Sequence, residues 1–426
     1  MLAPLRLFRR LRLPRFALIA CACFQLGPSP GGSDVCAAVA GLAWQEFPAL
    51  PPSAGQSRQP GVASPFVGTH GPVLLVAGGA NFPGKMPWDG GAKVWWDDIW
   101  VLERSDEHTV AWVSGKAWKL PRRIGYGISV STPDGVVCVG GSDAERCYAD
   151  VFLLSWDATS RDVRRASLPA LPEPLANMAG ALVGQTLFVA GGQHTMKGAV
   201  ASTVFWSLDL AQRHTPAAFK WSKLPTWPGP ARVLPVAAAQ GEPGRERFYL
   251  FGGRLPQPGR PTQLLTDAYA YDPRTRTWQT LAPVGGGRGV SVMAGTAVAV
   301  GTDEILLFGG DRGDRFVELE GHDLAVEELR AQLTTLPESG RPAIERAMAQ
   351  RLAAKRVLYE NHPGFGLEVF SYDVAREAWR VVDRSPVPPQ VTTLAVTWGR
   401  DIVIPSGEIR PGVRTPAIVR IRPQAR

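Results

Sequence analysis

A carboxylate and two guanidinium groups lie close together in the stretch IPSGEIRPGVRTP, residues 404–416. Glu408 directly follows a glycine, and Arg410 and Arg414 come after it, with Pro411 and Gly412 in between. A Pro-Gly pair is typical of a tight turn, so we expect the chain to double back and bring Arg414 next to Glu408. A carboxylate in such a place could exchange protons with a bound hydroxyl. The same two residues could instead form a structural ion pair.

Other polar side chains recur at comparable places along the chain, before or after short apolar segments. Arginine suits the planar, bidentate recognition of carboxylates. If these side chains converge, they would bind an acidic or carboxylated small ligand, although arginines of this kind could also serve hydrogen bonds between repeated units. Those before the segments are Arg123, Asn177, Arg232 and Arg288, and those after them are Asn81, Arg254 and Arg312.

The elements that would position these residues are repeats with a period of roughly 50–60 residues. Each contains an apolar strand that ends in a Gly-Gly turn, a second strand, and an outer strand that often carries Trp. In the last copy a serine replaces the first glycine, and we interpret Glu408 as the only carboxylate in this turn position. The apolar strands are VLLVAGG (73–79), VVCVGG (136–141), LFVAGG (187–192), FYLFGG (248–253), ILLFGG (305–310) and DIVIPSG (401–407).

Six such units predict an all-β fold, a six-bladed β-propeller of the kelch type, because a single unit cannot bury both of its faces. The sixth unit, residues 391–422, lacks its outer strand. The segment AWQEFPALP (43–51) before the first unit supplies a matching strand. We therefore expect the N-terminal strand to complete the C-terminal blade and close the ring. The predicted propeller domain covers residues 41–426.

One segment, residues 322–364, interrupts the repeat between the fifth and sixth units. It is rich in Ala, Leu, Glu and Arg with helical periodicity, and it is broken near Pro337 and Pro342. We predict two inserted helices. They could decorate the edge of the propeller or form a lid over the channel mouth.

Residues 1–40 read as a leader. Five arginines precede a short apolar stretch, and Cys21 in LIAC (18–21) matches a lipoprotein box. We predict export to the periplasm, by cleavage or with a lipid anchor on Cys21, and no membrane-spanning segment, since a span needs about 20 apolar residues. The net charge is +8, and half of it lies in this leader. Without a Lys/Arg run, the rest does not favour nucleic-acid binding.

The cysteines and histidines do not form a metal-binding pattern. Beyond the leader only Cys138 and Cys147 remain, and we expect two buried free thiols rather than a disulfide. The histidines are scattered, so we predict no metal. Nothing in the sequence predicts the oligomeric state.

Three stretches together resemble a known family. GEIRPGVRT (407–415) resembles the GEAKPGLRT motif of bacterial N-acetylneuraminate epimerase, the sialic acid mutarotase. VAGGANFPGKMPWDGGAKVWWDDIWVL (76–102) and PRRIGYGISVSTPDGVVCVGG (121–141) also look like parts of that family. The glutamate lies in the last blade here and mid-chain in the well-known epimerase, so the chain is similar to the cyclically permuted mutarotases.

This resemblance implies a periplasmic isomerase that interconverts the α and β anomers of N-acetylneuraminate or a related sugar acid, without a cofactor. It implies Glu408 as the general acid and base and Arg414 as a site residue for the substrate carboxylate. Arg410 is a further candidate for substrate binding. The alternative is a non-catalytic propeller that binds a glycan or a protein, for which the Trp-rich segment 88–98 would be suited.

Overall fold

The computed structural model describes residues 39–53, 55–107, 109–198 and 200–425. The leader prediction, including Cys21, lies outside these residues except for Val39 and Ala40, which already belong to the first strand. Among the described residues, no helix is long and apolar enough to cross a membrane.

Strands dominate the described chain. In chain order they are β1 (Val39–Phe47), β2 (Phe66–His70), β3 (Val73–Ala77), β4 (Ala80–Asn81), β5 (Val94–Trp95), β6 (Asp98–Arg104), β7 (Val110–Trp112), β8 (Trp118–Lys119), β9 (Ile128–Thr132), β10 (Gly135–Val139), β11 (Val151–Asp157), β12 (Asp162–Ser167), β13 (Ala179–Val183), β14 (Thr186–Ala190), β15 (Phe205–Asp209), β16 (Ser222–Lys223), β17 (Val236–Gln240), β18 (Arg247–Gln257), β19 (Arg260–Asp272), β20 (Thr277–Leu281), β21 (Thr296–Val300), β22 (Glu304–Phe308), β23 (Glu368–Asp373), β24 (Ala378–Arg384), β25 (Val396–Trp398), β26 (Asp401–Pro405), β27 (Glu408–Arg410), β28 (Val413–Arg414) and β29 (Ile418–Ala425).

These strands form six antiparallel blades and two small hairpins, which confirms the predicted propeller. Blade one contains β2, β3, β6, β7 and β8, and blades two to five follow in order as β9–β12, β13–β16, β17–β20 and β21–β24. Blade six contains β25, β26, β29 and β1. The second strand of each blade is buried along nearly all of its length, because neighbouring blades cover both of its faces, except that β18 continues into four half-buried residues, 254–257. The hairpins β4–β5 and β27–β28 project from blades one and six.

The N-terminal strand closes the ring, as predicted. Strand β1 pairs antiparallel with β29, with Phe47 opposite Ile418 and Val39 opposite Ala425. Its bounds differ from the expected 43–51, since the strand starts at Val39 and ends before Pro48. Proline has no N–H for a strand ladder, which explains the early end.

Tryptophans on or next to the outer strands join neighbouring blades. In five blades an indole Nε1–H donates to the preceding blade at 2.8–3.0 Å. The pairs are Trp44 with Asp383 Oδ2, Trp112 with Pro48 O, Trp221 with Pro169 O, Trp278 with Pro225 O, and Trp379 with Ala282 O.

A closed ring of six backbone hydrogen bonds surrounds the propeller axis where the innermost strands begin. Each blade contributes one non-glycine residue in the left-handed region, with φ between 50° and 63°. The N–H of each donates to the C=O of its counterpart in the preceding blade at 2.5–3.0 Å. These bonds offset the cost of the left-handed conformation. The ring residues are Ser64, Tyr126, Asn177, Leu234, Ala294 and Thr392.

Ser406 replaces glycine in blade six and bonds the two ends of the propeller together. It keeps the left-handed φ of 55° and is fully buried. Its Oγ accepts from the N–H of Val62 at 2.8 Å and donates to the C=O of Thr415 at 2.8 Å. A glycine could not supply these bonds, so the serine serves the seam between blades one and six.

We expect Ser406→Ala to lower the free energy of unfolding by about 1–3 kcal/mol, because the buried N–H of Val62 loses its acceptor. Chemical denaturation measures the change. Ser406→Gly is the matched variant: it loses the same bonds but removes the left-handed strain, so it should be more stable than the alanine variant by about 1 kcal/mol. Equal stability of wild type and Ser406→Ala would contradict this role.

A buried ionic cluster reinforces the same seam. Asp401 on β26 is fully buried, and three guanidinium groups surround its carboxylate. Arg104 Nη2 lies 3.0 Å away, Arg420 Nε 3.0 Å and Arg422 Nε 2.8 Å. Burial raises the pKa of Asp401, but the hydrogen bonds from Arg422 and Arg420 outweigh it, and the pKa lies below its usual range.

The insert forms two helices, α1 (Asp314–Leu333) and α2 (Arg341–Glu360). The second helix begins at Arg341, directly before Pro342. Proline is tolerated there because the first turn of a helix does not need its N–H group. The prediction that the insert starts at residue 322 was wrong, because α1 begins directly after Gly313, whose φ is 96°. Helical periodicity is weak in α1, which buries only Leu319 and Val326 along its length.

Cys138 and Cys147 are buried free thiols, as predicted. Burial raises the pKa of both, that of Cys147 to about 11. Neither thiol is a reactive thiolate at neutral pH.

Candidate functional site

Six equivalent positions follow the glycine turns at one face of the propeller. Each of these residues forms an isolated antiparallel bridge with another residue of its own blade, the one directly before that blade's member of the backbone ring. Blades four, five and six carry charged side chains here, whereas blades one to three do not. The interpretation of Glu408 as the only carboxylate in this position is wrong, because Asp311 occupies the same position in blade five. The six residues are Ala80, Ser142, Gln193, Arg254, Asp311 and Glu408.

The hairpin β27–β28 brings Glu408 and Arg414 together, which confirms the predicted turn. The two residues lie opposite each other in the strand register. Glu408 Oε1 accepts from the N–H of Gly412 at 2.6 Å and lies 3.3 Å from Arg414 Nη1. Gly412 has a φ of 82°, which suits glycine in such a turn. The turn thus fixes one carboxylate oxygen between a backbone donor and a guanidinium.

The Arg414 guanidinium has unused hydrogen-bonding capacity. Its side chain is only 3% exposed, and it lies over the ring of Phe82 at 4.8 Å. Nε and Nη1 are buried and have no hydrogen-bond partner in the described chain, since the 3.3 Å contact with Glu408 is not aligned for a hydrogen bond. Buried donors without partners are rare in proteins. These two donors are available to a bound ligand.

The helical insert borders this cluster. Tyr359 of α2 stacks on Trp88 of blade one, with ring centroids 5.2 Å apart, and Arg410 Nη1 donates to the C=O of Glu360 at 3.2 Å. Burial raises the pKa of Tyr359, and the charge of Glu408 adds to this. Burial lowers the pKa of His362, and the charge of Glu408 opposes it. The C-terminal end of α2 therefore forms one wall beside Glu408.

Lys93 is a candidate site residue that sequence reasoning missed. Its ammonium donates to Tyr126 Oη at 3.1 Å and lies 5.9 Å from the centroid of Phe82, the ring that also contacts Arg414. Among the described residues it has no carboxylate partner within 4 Å. The signal in the sequence was its position inside the family-like segment 76–102.

Several predicted site residues have structural roles instead. Arg232 is fully buried and forms a bidentate pair with Asp267, with both distances 2.8 Å. The Asn81 amide is occupied at both ends, since Nδ2 donates to Gly61 O and Oδ1 accepts from Trp96 Nε1, each at 2.8 Å. The prediction that these side chains converge on a ligand was therefore wrong for Arg232 and Asn81.

The remaining predicted residues differ in their surroundings. Asn177 belongs to the backbone ring and lines a small cavity at that level. Arg123 and Arg288 are exposed. Arg312 binds Glu368 at 3.1 Å, and Arg254 lies 4.9 Å over Phe316, with a pKa lowered by burial. The structure thus places Glu408, Arg414, Arg410 and Arg254 around one face, but not the whole predicted set.

A cavity of about 310 Å³ in the central channel is lined by the innermost strands, and none of the described residues that line it is ionisable. No group of three potential metal ligands occurs among the residues that the structure describes. The charged cluster at the mouth is therefore the candidate site.

The fold and this cluster define a six-bladed kelch propeller with a carboxylate–guanidinium site at its mouth. The chain belongs to the N-acetylneuraminate epimerase family, whose sequence profile matches residues 33–163 and 168–425. The match to the family covers nearly all of the described chain, so the resemblance seen in three short motifs is confirmed.

Individual relatives agree with the family assignment over part of their length. The N-acetylneuraminate epimerase of Haemophilus influenzae (strain PittEE) is 30% identical over 250 residues, which is 58% of this chain and 57% of that protein. The protein of the same name from Brucella melitensis is 40% identical over 130 residues, 28% of this chain and 32% of that protein. The solved structure of YjhT has a similar fold, with a TM-score of 0.54, 13% identity, and coverage of 86% of this chain and 95% of that chain.

Proposed function

We propose that this protein interconverts the α and β anomers of N-acetylneuraminate or a closely related sugar acid by opening and reclosing the sugar ring. The observation that carries the proposal is the Glu408–Arg414 pair at the channel mouth. It combines a positioned carboxylate with a buried guanidinium whose Nε and Nη1 have no hydrogen-bond partner in the described chain. The family name of the relatives supports the choice of substrate.

In this proposal the two side chains have separate tasks. Arg414 binds the substrate carboxylate, since a guanidinium donates two parallel hydrogen bonds to such a group. Lys93 lies near the same aromatic ring and adds a second positive charge. Glu408, held by the N–H of Gly412, takes the proton of the anomeric hydroxyl while the bond from the anomeric carbon to the ring oxygen breaks and a separate acid gives that oxygen a proton. After rotation of the resulting ketone, the reverse steps form the other anomer.

The direct test follows freshly dissolved α-N-acetylneuraminate by NMR, with and without the wild-type protein. Equilibration that is faster in proportion to protein concentration supports the proposal. A rate equal to the spontaneous one, for this sugar and for related 2-keto sugar acids, would refute it. Saturable binding without acceleration would instead support a sugar-binding propeller.

We expect Lys93→Met to raise the KM for the sugar acid by about tenfold or more, because a charge-assisted contact is lost, and to change kcat much less. Rates measured over a range of substrate concentrations separate the two effects. Lys85→Met, an exposed position in the same loop, is the control and should leave KM unchanged. A methyl ester of the substrate lacks the negative charge, so an equal effect of Lys93→Met on the ester would contradict a contact with the carboxylate.

A further inference from the structure

Asp311 is a second carboxylate at the mouth of the channel, and the anomer interconversion proposed for Glu408, Arg414 and Lys93 assigns it no role. It follows the glycine turn of blade five, as Glu408 follows that of blade six, and its backbone is held by a bridge to Met293. Blades five and six are neighbours around the ring. The two carboxylates therefore occupy adjacent equivalent positions at the same face.

The side chain of Asp311 is buried but lacks a cationic partner. The residue is 8% exposed, and Oδ1 accepts from the N–H of Gly313 at 2.8 Å. Within the described residues, no Lys or Arg nitrogen lies within 4 Å of it. Oδ2 accepts no hydrogen bond from any described residue. A buried carboxyl group with one free oxygen is suited to carry a proton.

The charges that face Asp311 come from three elements. Arg254 on β18 favours the ionised form, whereas Glu408 on β27 and Asp314 at the start of α1 oppose it. Burial is the largest influence, and it raises the pKa of Asp311 despite the N–H of Gly313 and the charge of Arg254. Glu408 has the Arg414 guanidinium 3.3 Å away, whereas among the described residues no guanidinium nitrogen lies within 4 Å of Asp311, so the environments of the two carboxyls differ. Such a difference is typical of an acid and base pair.

We propose that Asp311 is the general acid of the reaction and donates its proton to the ring oxygen while Glu408 takes the proton of the anomeric hydroxyl. This inference rests on the proposed mutarotase function and adds a residue to it. Ring opening without such an acid would leave a negative charge on the departing ring oxygen.

The step balances with these two groups alone. The anomeric O–H proton passes to the Glu408 carboxylate, and its electron pair forms the C=O bond. The bond from the anomeric carbon to the ring oxygen breaks, and its electrons receive the proton of Asp311. On reclosure from the other face, the ring hydroxyl returns its proton to Asp311, and the carbonyl oxygen takes the proton of Glu408. Both side chains end in their starting states.

The test compares wild type, Asp311→Asn and Asp311→Glu in the NMR assay across pH. Asparagine keeps an oxygen that can accept from the N–H of Gly313, but its amide has no acidic proton to transfer to the ring oxygen. We expect kcat to fall by about 10²–10⁴-fold in Asp311→Asn. The wild-type rate should decline at high pH as Asp311 ionises, and this decline should disappear in the asparagine variant. Asp311→Glu should recover part of the rate, because it restores a carboxyl group.

A purely structural role would give a different result. Binding of a 2-deoxy analogue, which has no anomeric hydroxyl, should be the same in wild type and Asp311→Asn. Loss of this binding together with activity would overturn the assignment, as would an asparagine variant with the wild-type rate and pH profile. An inactive wild type would count against the mutarotase function itself, whereas an active wild type with an unaffected variant counts against Asp311 alone.

Discussion

Glu408→Gln is expected to lower the kcat of anomer interconversion by about 10²–10⁴-fold, to near the spontaneous rate. Glutamine has nearly the same shape, and its oxygen can still accept from the N–H of Gly412, so the β27–β28 hairpin should be preserved. What it loses is the ability to take the anomeric proton. NMR of the two anomers under single-turnover and steady-state conditions measures the loss.

The interpretation of this result depends on two controls. Glu242→Gln changes an exposed glutamate in blade four and should leave kcat unchanged. Binding of the 2-deoxy analogue to Glu408→Gln should persist, because Arg414 and Lys93 remain. A Glu408→Gln enzyme that retains more than a tenth of the wild-type kcat would remove Glu408 from the role of proton carrier.

Asp401→Asn should produce the largest loss of stability. The change leaves the guanidinium groups of Arg104, Arg420 and Arg422 without their shared carboxylate inside the seam. Removing one partner of a buried ionic cluster costs about 3–5 kcal/mol. We expect a fall of this size in the free energy of unfolding at neutral pH, measured by chemical denaturation. Asp150→Asn, in an exposed pair with Arg122 at 3.5 Å, is the control and should cost at most about 1 kcal/mol.

The pH dependence of stability checks the same cluster. The pKa of Asp401 in the folded protein lies below its ordinary value. Its stabilising contribution is therefore complete above the unfolded pKa, about 3.9, and is lost as pH falls through the lower folded value. Wild type should lose stability below about pH 4 more steeply than Asp401→Asn. Parallel curves would show that the cluster does not stabilise the fold.

The propeller and the centre of its site could be predicted because both depend on short-range signals. Each glycine turn reflects a local requirement of the backbone, so it is visible in the sequence. Its six copies along the chain indicate six blades. Pro411 and Gly412 indicate the turn that places Arg414 beside Glu408. The ring closure followed from a missing outer strand at one end and a spare one at the other.

The parts that were missed depend on long-range contacts. The partners of Arg232 and Asn81 lie in residues whose proximity only the folded chain reveals, so residue type alone could not decide between a ligand-binding and a structural role. The sequence shows Asp311 directly after its Gly-Gly turn. That it occupies the same position as Glu408 is recognised only when blades five and six are aligned. The backbone ring has no side-chain signature, since serine, tyrosine, asparagine, leucine, alanine and threonine all occupy it.

The antiparallel pairing of β1 with β29 also determines how the protein would respond to mechanical force. Val39 lies opposite Ala425, so the two ends of the described chain leave this strand pair side by side at the same end. Tension between them would open this strand pair one hydrogen bond at a time, as a zipper opens, rather than load all its bonds together in shear. We expect rupture at low force to begin there and to pause where Arg420 Nη1 on β29 donates to Gln45 Oε1 on β1 at 2.8 Å.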